Sequence, residues 1–256
     1  MRVHFIIIFV VLALMKSGSI FSQEIQTIHV MVALCDNKYQ GIVKVPKAIR
    51  NGQDPHNNLY WGCAYGLRTY FKKQPDWKKV KRYKVDDIRL ERVVFKHKTK
   101  PYYLVADAYD GRNIKDCTID FLNSCAGKQK DTIRIDNKII GIKGNAKLLA
   151  YIGHNGLMDF KLPDTYQNKD GKQRDTIILA CASKQYFTSY LKSAGANPLL
   201  WSTHLMSPEA YTLHDGIATY INGGDAASVR NSAAAAYSKY QKCGLKAAKR
   251  LIVTGW

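Results

Sequence analysis

Two short stretches decide how this chain is read: LLAYIGHNG at residues 148–156 and TIILACAS at residues 176–183. In the first, Ala146–Ile152 is an apolar run that leads into Gly153-His154-Asn155-Gly156. In the second, Thr176–Leu179 leads into Ala180-Cys181-Ala182-Ser183. Short, continuous apolar runs bounded by turn residues read as strands buried on both faces. Such strands belong to parallel sheets with helices on either side.

The rest of the chain fits that frame. Ile25–Leu34 (IQTIHVMVAL) reads as a buried first strand that stops at Cys35-Asp36-Asn37. Ile88–Lys96 and Pro101–Tyr109 read as two strands able to pair, and Thr132–Ile135 with Lys138–Ile142 as a hairpin turning at Asp136-Asn137. Helical spacing runs over Asn57–Lys73, behind Asp54-Pro55 as a start signal, and over Arg112–Ala126. In the tail, Ser207-Pro208-Glu209 predicts a helix start with Ser as cap and Pro at the first position, and Gly223-Gly224 its end. Asp225 caps a last long helix running to Cys243-Gly244. Strands alternating with helices predict an α/β fold: a single three-layer α/β/α domain over residues 23–256, with a mostly parallel central sheet and C-terminal helices.

The 256 residues are 46% hydrophobic, which excludes a disordered chain. Lys and Arg number 39 against 20 acidic residues, a formal charge of +19 that attracts anions. The basic residues are spread out, and the densest run, Lys78 to Lys84, is followed by Asp86 and Asp87 and reads as a solvated face. No zinc finger, helix-turn-helix or RNA-binding aromatic pattern accompanies the charge, so no specific nucleic-acid partner is expected. At the N-terminus, Arg2 and His4 precede an apolar run from Phe5 to Met15 and then Lys16-Ser17-Gly18-Ser19, the layout of a secretory signal peptide over residues 1–22. That run is too short to span a bilayer. The mature chain is therefore expected to be secreted or periplasmic, with no transmembrane anchor after signal removal. Six cysteines (Cys35, Cys63, Cys117, Cys125, Cys181, Cys243) in an exported chain point toward disulfides. None has CxxC or interleaved Cys/His spacing, so neither a metal nor another cofactor is expected.

In an open parallel sheet, functional groups collect beyond the carboxyl ends of the strands. His154 and Cys181 both end apolar strands. If those strands are neighbours, imidazole and thiol face one cleft as a proton carrier and a nucleophile. The Gly156 N–H is the candidate donor to an oxyanion, and Cys35 is the rival thiol. These two halves, in this order, resemble the pattern of the caspase-fold cysteine peptidases, the group that includes caspases, metacaspases, legumain, gingipains and clostripain. That pattern is an apolar strand ending in His-Gly, then an apolar strand ending in Ala-Cys or Gly-Cys. Cys35-Asp36-Asn37 is also similar to the clostripain-type opening, and the resemblance covers roughly residues 27–205.

The resemblance implies Cys181 as nucleophile and His154 as proton donor to the leaving amine. It also implies Asp36 as an acid near the cleft for a basic substrate side chain, although an Asp-Asn turn explains that residue too. Trp201 and Ser202 would then form a substrate wall or pack in the core. One departure stands out: the family has Gly directly after the His, whereas Asn155 intervenes here before Gly156. Asn tolerates left-handed backbone better than other non-glycine residues. The expected function is an exported cysteine endopeptidase acting on protein or peptide substrates. The alternative is an inactive secreted binding module of the same fold; the oligomeric state stays open. N-terminal sequencing of the exported protein is expected to start near Gln23, and a retained Met1 would remove the signal-peptide reading.

Overall fold

A computed structural model describes residues 24–163 and 166–256; the signal-peptide reading of residues 1–22 lies outside them. In chain order the elements are β1 (Gln26–Ala33), α1 (Leu67–Lys73), β2 (Trp77–Tyr83), β3 (Arg89–His97), β4 (Tyr102–Tyr109), α2 (Ile114–Cys125), β5 (Lys130–Ile135) and β6 (Lys138–Lys143). They continue with β7 (Leu148–Gly153), β8 (Asp175–Leu179), α3 (Ser183–Ser193), β9 (Asn197–Ser202), α4 (Ala210–Ile221), α5 (Ala226–Gln241), α6 (Leu245–Leu251) and β10 (Ile252–Val253). The main sheet runs β10-β9-β8-β7-β1-β4-β3-β2. Its five central strands, β9 to β4, are parallel, while β10, β3 and β2 close the two edges antiparallel. The α/β architecture with a mostly parallel central sheet is therefore as the sequence predicts.

Side-chain alternation along β1 divides the core. Ile28, Val30 and Val32 face a cluster that takes in Leu67 and Phe71 of α1, Leu213 of α4 and Val229 of α5. Met31 and Ala33 face the opposite cluster, with Phe121 of α2 and Phe187 of α3. Strands β7 and β8 repeat the division, so helices cover each face of the sheet. The hairpin β5–β6 covers the remaining part of the second face, with Ile135, Ile140 and Ile142 over Val94 and Val105.

Two local readings are corrected. The helix expected over Asn57–Lys73 is confined to Leu67–Lys73, and the residues before it are turns. Asp54 accepts from the His56 and Asn57 N–H groups, and Asn58 from those of Tyr60 and Cys35, so polar side chains capture donors a helix needs. The helix expected to start at Ser207 starts at Ala210 with no side-chain cap: the Glu209 and Ala210 N–H groups that a Ser207 cap would accept go to the Ser207 and Tyr65 carbonyls. The basic run Lys78–Arg82 keeps the solvated face read from the sequence and forms an edge strand, β2, with Trp77 buried and Lys78, Lys79, Lys81 and Arg82 in water. Exposed lysines along such an edge discourage pairing with other chains. Asp225 does cap α5, accepting from the Ser228 N–H at 2.8 Å.

Beneath the hairpin lies a fully buried charged group. Arg92 grips Asp107 in a two-pronged ion pair at 2.5 and 2.6 Å, and His29 lies 3.1 Å from the same carboxylate. The Lys143 N–H donates to His29 Nδ1 at 3.0 Å, so the ring proton sits on Nε2 and points to Asp107. Burial lowers the His29 pKa from 6.5 despite the adjacent carboxylate, so the ring stays neutral. Because the unfolded chain binds that proton first, His29's contribution to stability is lost as pH falls below 6.5. NMR titration of the imidazoles is expected to find His29 still neutral near pH 6, where a free histidine is mostly charged. Asp107→Asn leaves the Arg92 charge uncompensated and is expected to cost about 3–5 kcal/mol by urea denaturation.

Candidate active site

The order of the parallel strands reverses between β1 and β7: the chain first builds outward through β4, then returns to add β7, β8 and β9 on the other side. A cleft at the carboxyl ends is expected at such a reversal. The cavity found there has a volume of about 330 Å³. Gly153 and His154 after β7, and Cys181 after β8, line it together with Gly41–Val43 from the segment after β1. Leu205–Pro208 after β9, Tyr60, and Tyr237 of α5 complete the wall. The structure thus brings the two residues of the expected dyad to one cavity.

Local backbone chemistry sets each of them in place. Gly153 has φ +135° and a Cβ there would lie 2.5 Å from the Ala33 carbonyl oxygen, so the residue before His154 has to be glycine. The Tyr151 hydroxyl donates to the His154 carbonyl at 2.8 Å. The His154 ring is buried, and its Nε2 lies 2.8 Å from Asp159 Oδ2. That carboxylate oxygen also accepts the Gly41 N–H at 3.0 Å. The contact to a carboxylate oxygen places a ring proton on Nε2, and Nδ1 makes no hydrogen bond to the described residues. Asp159 is therefore the third member of the group, and sequence reading missed it. Its one signal was a lone acid five residues beyond the histidine.

Cys181 sits two residues beyond the end of β8, where Ala182 turns left-handed at φ +47° and α3 begins. The Met206 N–H donates to Cys181 Sγ at 3.4 Å, and the thiol reaches the Met206 carbonyl at 3.6 Å. Asn155, the departure from the family pattern, is fully buried at φ −80°, not left-handed. Its Nδ2 donates to the Cys181 carbonyl at 2.7 Å and its Oδ1 accepts the Leu157 N–H. The residue that looked like a defect in a glycine turn is a clamp between the two loops that bear the thiol and the imidazole.

Two other expected site residues lie elsewhere. Gly156 does not line the cavity: a Cβ on it would strike Phe160 and Thr118, and its N–H is directed at the Tyr151 hydroxyl. Asp36 does not line it either; its carboxylate accepts from the Lys38 and Gly52 N–H groups and from Gln53, which is the turn role. Trp201 is fully buried, with its indole N–H on the Gly255 carbonyl, and belongs to the core. Ser202 ties β9 to Ala180 and Ser183. His214 bridges Asp215 and Asp76 within the fold, and His204 is held by Thr203.

All six cysteines are free thiols. Cys35, the rival, is enclosed, and burial pushes its thiol up to about 12; burial raises Cys117 and Cys125 as well. No cluster of three His, Cys, Asp or Glu able to hold a metal occurs among the described residues, and no described helix is long and apolar enough to cross a membrane. Fold and site define an α/β protein with Cys181, His154 and Asp159 gathered at the carboxyl crest of a parallel sheet. The chain matches no protein-family model, no curated protein and no solved structure, so the site is read from its own geometry. With a small alkylating reagent on the folded protein, modification is expected at Cys181, Cys63 and Cys243 only. Cys35, Cys117 and Cys125 should react after denaturation, as peptide mass mapping would report.

Proposed function

We propose that this chain is a cysteine peptidase of caspase-like fold, exported from the cell, that cleaves protein or peptide substrates. The observation that carries the reading is the single cavity lined by both Cys181 and His154, with the imidazole held by the Asp159 carboxylate. The paired strand-end motifs and their resemblance to caspase-fold peptidases support it, and the signal-like residues 1–22 support export.

The chemistry is built on the hydrogen bonds of the site. His154 Nδ1 takes the Cys181 proton, and the thiolate, supported by the Met206 N–H, attacks the substrate carbonyl carbon. A carbon–sulfur bond forms as the carbonyl electron pair moves onto oxygen. Collapse of that intermediate breaks the carbon–nitrogen bond, and the departing amine takes its proton from His154. Water then attacks the thioester with His154 as base, releasing the acid and restoring the thiol. Asp159 acts by fixing the ring tautomer and orientation.

Cys181→Ala is expected to abolish cleavage of a peptide library while leaving the fold intact, and Cys35→Ala to leave cleavage unchanged. His154→Ala should lower kcat about 10²–10⁴-fold. Asn155→Gly, which would restore the family pattern, is expected to reduce activity, because it cuts the tie to the Cys181 loop. A mature protein without thiol-dependent cleavage would overturn the reading in favour of an inactive binding module.

A further inference from the structure

We propose that the cavity beside Cys181 selects an apolar side chain on the residue whose carbonyl is attacked. This rests on the peptidase reading and gives it a substrate class. Ile42, Tyr60, Met206 and Pro208 build apolar walls. At the mouth, Val43, Met158 and Leu205 stand 77%, 40% and 67% exposed, three of the nine large apolar side chains left in water among the described residues. They come from the segments after β1, β7 and β9, so they converge on the opening from different sides. Apolar groups gathered at the rim of a cavity mark a surface that is covered when the cavity is filled.

The polar fittings argue the same way. Apart from Cys181 and the tyrosines, His154 is the one titratable side chain in the lining, and its Nε2 is engaged by Asp159. A guanidinium or carboxylate entering this space would give up its water and meet no opposite charge in the lining itself; Asp159 is bound to His154 and Gly41, and Glu209 to Tyr211 and Gln241. The acid expected to receive a basic side chain, Asp36, is spent on its own turn. At about 330 Å³ the space is at the small end of ligand cavities, suited to one side chain and its adjoining backbone.

Two measurements test this. Fluorogenic peptides differing only at the attacked residue are expected to give kcat/KM at least about tenfold higher for Leu or Phe than for Arg or Asp. Leu205→Glu, at an exposed position, should reduce that ratio by admitting Arg. Independently, peptidyl chloromethylketones bearing Phe or Arg alkylate the thiol with loss of chloride, and the rate at Cys181 is read by intact mass. The Phe reagent should react faster. Cys181-dependent cleavage that prefers Arg or Asp overturns the apolar selection but leaves the peptidase. Absence of cleavage with faster Phe labelling overturns the peptidase but leaves the apolar pocket. Equal labelling by the two reagents overturns the pocket itself.

Discussion

The position of β7 between β1 and β8 governs the rest of the molecule. Parallel ladders bond each strand to its neighbours at every step, so the ends of adjacent strands cannot slide past one another without losing the whole ladder. Here Ala33 pairs with Gly153, and Ile152 with Leu179. Three loops therefore leave the sheet at one level: the Cys35–Asp36 turn, the His154 loop and the Cys181 loop. The strand order reverses beside β1, which opens the space they surround. Gly153 is the local expression of the same constraint, since the β1 carbonyl at Ala33 leaves no room for a side chain.

Within that space the His154 loop is the hub. Asn155 reaches to the Cys181 carbonyl on one side, and Asp159 holds the Gly41 N–H on the other. The same short segment thus positions the imidazole, fixes its tautomer and ties down both neighbouring loops. Groups held in this way need little reorganisation on meeting a substrate, which is where much of the advantage of an enclosed site arises. A glycine in place of Asn155 offers neither the bond to the Cys181 carbonyl nor the one from the Leu157 N–H.

The buried charged group and the cavity are placed apart. The buried group of His29, Asp107 and Arg92 joins β1, β4 and β3 and, through the Lys143 N–H, anchors the hairpin over the second face. None of these side chains lines the cavity. A buried ion pair is costly to break because the surviving charge has no water to return to. Its value here is to lock strand pairing and hairpin to each other. The surplus positive charge is elsewhere again, with part of it along the exposed edge strand β2.

Periodicity and turn chemistry made the strands, the hairpin at Asp136-Asn137 and the Asp225 cap legible, because each depends on a few adjacent residues. The placement of His154 and Cys181 at one cavity was legible for the same reason, as each closes an apolar run. The length of α1 was not, because Asn58 bonds to the backbone of Cys35, which is distant in the chain. Nor were the fates of Gly156 and Asp36: spacing marks a residue as near a strand end, but only packing decides which way an N–H or a carboxylate faces. Asp159 and the true part of Asn155 emerge only when loops from β1, β7 and β8 meet. By itself the sequence determined which segments are buried and where the chain turns, since burial and turning follow from local side-chain chemistry. The tertiary structure alone decided which of the polar groups at those turns face one another, since that depends on strand order and register.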